Sequence, residues 1–148
     1  MEQKSKVKVV VVSGGFDPLH KGHVRMFKAA RKLGDTLVVI MNNDNWLKNK
    51  KGYVFMPEDE RKEIIEELEC VDRVALTKHS LASNDVSVCE TLMELKPDIF
   101  ANGGDRKEDN IPEYKLCGEL GIEMVFNVGG DKVQSSSELL KQHAAGGH

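Results

Sequence analysis

Two histidines, a lysine, an aspartate and several glycines lie close together near the start of the chain, between Gly14 and His23. Glycines that follow a strand let backbone N–H groups approach a phosphate closely, because no Cβ stands in the way. A helix that begins just beyond them would point its positive end into the same space. His20 and His23 are three residues apart, so both imidazoles can project the same way from that helix start. The segment predicts a phosphate site in which two imidazole donors hold phosphate oxygens while charge develops on them.

Other chemistries fit these residues less well. A histidine at a helix start is often an ordinary cap, and two histidines three apart form only half of a metal site, which no nearby cysteine or third histidine completes. The chain contains no G-x-x-x-x-G-K-[ST], which argues against a P-loop kinase or ATPase. No G-x-G-x-x-G follows the first predicted strand, which argues against a dinucleotide-dependent oxidoreductase. Spacing alone leaves phosphate chemistry and a purely structural role both open, and it indicates no metal-binding residues.

The composition bounds the class of protein. The 148 residues are 40% apolar and 30% charged, which is ordinary for a globular domain, and the formal net charge of −3 does not favour general binding to nucleic acid. No apolar run is long enough to span a membrane, and residues 1–8 lack the apolar core of a signal peptide. Three scattered cysteines indicate reduced thiols: Cys70, Cys89 and Cys117. We expect a soluble, cytoplasmic protein with no nucleic-acid or membrane partner.

Strands and helices alternate along the predicted chain. Strands are predicted at residues 7–13, 36–41, 71–76, 98–100 and 122–126, and the first two read as buried. Helices are predicted at 22–33, from 57 onward, from 83–85 to about 95, at 112–120, and as a short last helix from 135. Residues 42–55 are predicted to be a loop with about one helical turn. This alternation predicts a single α/β domain at 1–143 with a Rossmann-like, mostly parallel five-stranded sheet covered by helices on both faces, and a frayed tail at 144–148.

Four polar clusters are predicted to follow the carboxyl ends of these strands. They are residues 14–23, 42–51, 102–106 and the serine run 135–137. Ligands of open parallel sheets bind beyond the carboxyl ends of the strands. The convergence of the clusters at one edge of the sheet therefore predicts a single site.

The segment from Gly15 to His23 reads GFDPLHKGH and resembles the [GT]-x-F-D-x-x-H-x-G-H signature of the cytidylyltransferase-like nucleotidyltransferase family. Four later segments also resemble that family: RKLGD at 31–35, PEDER at 57–61, KPD at 96–98 leading to GGD at 103–105, and VQSSS at 133–137. The resemblance covers nearly the whole chain and implies nucleotidyl transfer. In that reaction an acceptor's phosphate oxygen attacks the α-phosphate of a nucleoside triphosphate in line, and pyrophosphate leaves.

Family resemblance also implies roles for individual residues. His20 and His23 would hold the triphosphate and stabilise the pentavalent α-phosphate, and Mg²⁺ would shield the triphosphate charge. Lys48 and Arg61 would supply catalytic cations. The other nucleotide-binding residues would be Gly14, Gly15, Phe16, Asp17, Gly22, Gly104, Asp105, Ser135, Ser136 and Ser137. The acceptor would meet Lys48, Lys51 and Asp105.

Simpler roles compete for several of these residues. Asp17 is better explained as an orientation residue than as a base, because the acceptor phosphate is already ionised. The lysines at 48–51 also fit a solvated loop, and Arg61 also fits surface pairs with neighbouring glutamates. The serine run also fits a plain helix cap.

Two substrate pairs and one non-catalytic role remain open. Residues 102–105 resemble the K-G-G-D stretch of heptose-phosphate adenylyltransferases, which favours ATP and a sugar phosphate. The alternative is a glycerol-phosphate-type cytidylyltransferase, with CTP and a small alcohol phosphate. A nucleotide-binding regulatory module without turnover is a third reading, against which the intact histidines argue. Dimerisation is common in the resembled family, which leaves a homodimer as one option for this chain.

Overall fold

The computed structural model describes residues 7–83, 87–103, 112–126 and 128–129. The described strands are β1 (Val9–Gly14), β2 (Thr36–Met41), β3 (Arg73–Leu76), β4 (Ile99–Ala101) and β5 (Glu123–Val125). The described helices are α1 (Lys21–Arg31), α2 (Asp44–Lys51), α3 (Glu58–Glu66), α4 (Cys89–Leu95) and α5 (Glu113–Leu120). The predicted last helix from residue 135 and the tail at 144–148 lie outside the described residues.

The five strands form one sheet in the order β3-β2-β1-β4-β5, and every neighbouring pair is parallel. Successive residues of β1 enter different cores. Val10 and Val12 pack with the buried residues of α1 and α3, whereas Val11 packs with those of α4 and α5. A strand that is buried on both faces explains why the sequence shows a continuous run of valines rather than an alternating pattern. The predicted Rossmann-like α/β sheet is confirmed.

The main difference from the predicted elements is α2, which occupies a segment that was expected to be mostly loop. The side chain of Asn43 caps this helix by accepting the N–H of Trp46 at 2.9 Å, and Gly52 ends it with a φ of +89°. Leu47 is the apolar anchor, since it is 1% exposed. The prediction of one helical turn was wrong because the segment is rich in Asn and Lys, and its helix depends on a cap and a single buried side chain.

Helix α4 also differs from the prediction, because it begins at Cys89 rather than near Ser83. The N–H of Val88, just before the helix, donates at 2.9 Å to the carboxylate of the buried Glu113 in α5.

The three cysteines are free thiols, and burial raises the pKa of Cys117 to about 11. Within the described ranges, none of the helices has the length and apolar character that crossing a bilayer requires.

Candidate active site

The loop that joins β1 to α1, here called the signature loop (residues 15–20), is built around Phe16. Phe16 has a φ of +53°, which is costly for an aromatic residue, and its side chain is 5% exposed. Its ring meets His23 edge-on at 5.0 Å and Phe27 at 5.2 Å between centroids. A Cβ on Gly14 would lie 2.9 Å from the same ring, so this position requires glycine. The buried ring of Phe16 thus fixes both the loop and the imidazole of His23.

His20 and His23 cap the start of α1 reciprocally. The Nδ1 of His20 accepts the N–H of Gly22 at 3.1 Å, and the Nδ1 of His23 accepts the N–H of His20 at 3.2 Å. The two rings are stacked, with centroids 3.8 Å apart and planes inclined by 23°. Because each Nδ1 acts as an acceptor, the hydrogen-bond network assigns the proton of each neutral ring to Nε2. The backbone at the helix start therefore selects the tautomer of both histidines.

The Nε2 of His20 is buried and has no hydrogen-bond partner among the described residues. Burial lowers the pKa of His20, and burial together with the charge of His20 lowers the pKa of His23 to about 4. Both rings are therefore neutral near pH 7 before a ligand binds. The arrangement can offer Nε2–H hydrogen bonds to phosphate oxygens, and it needs no imidazolium charge to do so.

Asp17 holds the segment after α2, here called the strap (residues 52–56), against the signature loop. Its carboxylate is fully buried and accepts the N–H of Phe55 at 2.8 Å and the N–H of Met56 at 2.6 Å. Both oxygens of the carboxylate are thus bonded to the strap. These contacts support the interpretation of Asp17 as an orientation residue rather than a base.

Lys51, one of the two lysines predicted to meet the acceptor, contacts the signature loop. Its Nζ donates to the carbonyl oxygen of Asp17 at 3.0 Å, lies 3.5 Å from the Asp17 carboxylate and lies 4.9 Å from the ring centre of Tyr53. Lys48 is exposed, about one turn earlier on α2. The ammonium of Lys51 therefore lies beside the loop that carries the histidines.

Arg61 is fully buried, which neither prediction for it anticipated. Its Nη1 donates to the carbonyl oxygens of Gly15 at 2.7 Å and Asn42 at 2.8 Å, and its Nε donates to that of Met56 at 2.8 Å. Its Nη2 pairs with the carboxylate of Asp44 at 2.7 Å. The surface pairing with glutamates is wrong, because the side chain has no exposed surface. For the same reason the guanidinium has no exposed face to offer a phosphate in this structure.

Several polar contacts that the sequence did not indicate hold α2 at the end of β3. The N–H of Asn43 donates to Thr77 Oγ1 at 3.0 Å, and the side-chain amide of Asn43 donates to the carbonyl of His79 at 2.9 Å. The ring of His79 in turn meets Thr77 Oγ1 at 3.0 Å and the carbonyl of Ser87 at 2.8 Å. Only the capping preference of asparagine before a helix could have pointed to Asn43.

The remaining predicted site residues divide into two groups. Gly14 and Gly15 lie at the end of β1, and Gly22 lies in the first turn of α1. A Cβ on Gly15 would lie 3.1 Å from the ring of Trp46, so α2 packs directly on the signature loop. Gly104, Asp105, Ser135, Ser136 and Ser137 lie outside the described residues. Within the described ranges, no cluster of three or more His, Cys, Asp or Glu side chains could hold a metal ion.

A parallel sheet that carries the signature loop and a histidine pair at its carboxyl edge defines a Rossmann-like α/β protein with a candidate site at that edge. The chain belongs to the cytidylyltransferase-like family, which matches residues 11–138. This confirms the family that the signature at 15–23 indicated and classes the protein among nucleotidyltransferases.

Two relatives illustrate the similarity of this chain to other proteins. The chain is 38% identical over 141 residues to the bifunctional protein HldE of Streptomyces coelicolor, covering 93% of this chain and 29% of that protein. It is 39% identical over 120 residues to the FAD synthase of Pyrococcus horikoshii, covering 78% of this chain and 77% of that protein. The chain therefore spans less than a third of HldE and about three quarters of the FAD synthase.

The fold is also found in a solved structure. The lipopolysaccharide core biosynthesis protein from Thermoplasma volcanium matches with a TM-score of 0.67 and 31% identity, covering 82% of this chain and 96% of that chain. The likeness in structure and sequence together supports the assignment of the family.

Proposed function

We propose that the protein transfers a nucleoside monophosphate from ATP or CTP to a phosphorylated sugar or polyol and releases pyrophosphate, with ATP favoured. The observation that carries the proposal is the pair of neutral histidines whose tautomer is set by the backbone at the start of α1. The FAD synthase relative supports adenylyl transfer in particular, because FAD, the product that names it, contains an adenylyl group. CTP is the alternative nucleotide, as in the glycerol-phosphate-type cytidylyltransferases that the sequence also resembles.

The histidines act as hydrogen-bond donors to the reacting phosphate. The Nε2–H groups of His20 and His23 would bond to oxygens of the triphosphate, where negative charge accumulates as the α-phosphorus becomes pentavalent. Both donors are positioned before the substrate arrives, so no rearrangement is needed at the moment of reaction. The carboxylate of Asp17 is committed to the strap, and an ionised acceptor phosphate needs no base.

The reaction itself requires little from the protein beyond position and charge. An oxygen of the acceptor phosphate forms a bond to the α-phosphorus, the bond from that phosphorus to the bridging oxygen breaks, and the electron pair leaves with pyrophosphate. Mg²⁺ would enter with the triphosphate as part of the substrate and neutralise charge on the leaving group. Lys51, whose ammonium lies beside the signature loop, would attract the acceptor phosphate.

The experiment is an assay of pyrophosphate release with Mg²⁺, in which ATP, CTP, GTP and UTP are tested singly against sugar, polyol and flavin phosphates. Release that requires one nucleotide and one acceptor would establish the reaction and decide between adenylyl and cytidylyl transfer. Tight nucleotide binding without release from any pair would contradict the proposal and favour the regulatory module.

A further inference from the structure

Arg61 joins three segments of the candidate site that are distant in sequence. Three of its hydrogen bonds end on main-chain carbonyls, one in the signature loop at Gly15, one after β2 at Asn42 and one in the strap at Met56. The fourth ends on Asp44, the first residue of α2. Four of the five N–H groups of the guanidinium are thus bonded to protein.

A buried arginine is costly unless its charge is paired and its donors are used. Here Asp44 supplies the opposite charge at 2.7 Å, and the carbonyls accept the remaining bonds. The planar guanidinium directs its N–H groups along fixed lines, so it determines the separation of the groups that it bonds. Lysine has one nitrogen and cannot reach the same four acceptors.

We propose that Arg61 is a positioning residue that sets the distance between the signature loop and α2, and through them between the histidine pair and Lys51. The inference rests on the proposed function, in which the histidines and Lys51 act on the two phosphates that react. Arg61 itself touches neither substrate. It differs in this respect from the catalytic cation that the family resemblance implied.

Trp46 is a local fluorescence reporter of the contacts that Arg61 makes between the signature loop and α2, here called the junction. Trp46 is the only tryptophan of the chain, it lies on α2, and its ring packs against the backbone of Gly15. A change in the spacing between α2 and the signature loop should therefore change the access of a quencher to Trp46. Ile65 is a matched control, since it lies one turn further on α3, is fully buried and belongs to the core beneath the sheet.

The test compares Arg61→Lys, Asp44→Asn and Ile65→Val, each assayed at the same interval below its own melting midpoint. In Arg61→Lys we expect kcat to fall about 100-fold, because reacting groups are misaligned, while the KM for the triphosphate changes less than about threefold. Acrylamide quenching of Trp46 should increase in Arg61→Lys and Asp44→Asn and stay unchanged in Ile65→Val. The double variant Arg61→Lys/Asp44→Asn should lose little more kcat than Arg61→Lys alone, because both changes break the same junction.

A KM for the triphosphate that rises in step with the loss of kcat/KM, with quenching unchanged, would overturn the inference and make Arg61 a phosphate contact. Normal kcat in a variant with altered quenching would overturn it as well. If Arg61→Lys does not fold, Asp44→Asn decides by the same readouts, since it keeps Arg61 and changes only a partly exposed partner. If the wild-type chain releases no pyrophosphate, the proposed function fails. Unchanged quenching in Asp44→Asn would separately refute the claim that Arg61 and its partner set the spacing between the signature loop and α2.

Discussion

The start of α1 and the region from Asn42 to Met56 lie side by side, but they are held in place by partners at different distances along the chain. At the start of α1, the histidines bond to backbone groups no more than three residues away. In the second region, α2 and the strap are held by Asp17 and Arg61, whose bonded partners lie up to 46 residues away. The first region should tolerate changes elsewhere in the molecule, whereas the second should fail when one distant side chain is lost.

The largest expected effect is on turnover, at the histidines. His20→Ala and His23→Ala should each lower kcat by about 10²–10³-fold, because each removes a positioned donor to the transition state. His20→Asn and His23→Gln are matched variants, since asparagine is a good N-cap and glutamine completes a capping box. Their amide N–H groups lie in a different place from the imidazole Nε2–H. If the loss follows from the altered donor and not from a frayed helix, these variants should stay slower than wild type while melting close to it. Normal turnover in either alanine variant would contradict the assignment.

A second prediction concerns stability at acidic pH. Folding lowers the pKa of His23 from 6.5 to about 4, so the unfolded chain binds a proton more readily between these values. The free energy of unfolding should therefore be highest above pH 6.5 and fall as the pH drops toward 4, by about 3 kcal/mol at most from this group.

Urea unfolding of wild type and His23→Gln between pH 4 and 7 measures the contribution of His23. The lowered pKa of His20 acts in the same direction, so part of the slope should remain in the variant. A slope that is identical in both proteins would show that His23 does not titrate as the structure indicates.

The connection between the signature loop and the strap is tested by Asp17→Ala. The change leaves the N–H groups of Phe55 and Met56 without their buried acceptor. Bonds to a charged group are worth about 1.5–3 kcal/mol, and a loss of this size is expected in urea unfolding. Asp35→Ala is a suitable control, because the Asp35 carboxylate also accepts a backbone N–H but does so at an exposed position. Equal losses in the two variants would contradict the role assigned to Asp17.

The smallest expected effect is at the cap of α2. Asn43→Ala removes the acceptor for the N–H of Trp46 and should cost about 1 kcal/mol of unfolding free energy. Asn43→Ser keeps a capping oxygen and should recover part of the loss. Helix α2 should be the part that loosens, which amide hydrogen exchange at residues 46–48 would detect. Unchanged exchange in Asn43→Ala would show that α2 does not depend on this cap.

The elements that the sequence predicted well are those whose residues determine their own structure. The valines at 9–12 favour a strand, and burial on both faces makes them apolar without alternation. The histidine pair was evident from its residue types and its spacing, because both histidines lie within one short segment. By contrast, Arg61 lies among Glu58, Asp59, Glu60, Lys62 and Glu63, a pattern typical of a solvated helix face.

Helix α2 and Arg61 could not be predicted for a common reason. Their determinants are contacts between segments, such as the carbonyls of Gly15 and Asn42 that lie 46 and 19 residues from Arg61. Neither propensity nor periodicity records such contacts. The role of Asp17 as an orientation residue was anticipated from its chemistry. The strap that it holds was not, because the two N–H groups that its carboxylate accepts lie 38 and 39 residues away in the sequence.

The most direct test of the central claim is a ¹⁵N NMR titration of the histidine side chains with MgATP and MgCTP. The account predicts that His20 and His23 are neutral at pH 7 with the proton on Nε2, and that saturating amounts of the preferred nucleotide shift both Nε2 resonances while each Nδ1 remains an acceptor. Rings that carry the proton on Nδ1, or Nε2 resonances that do not move while pyrophosphate is being released, would contradict it.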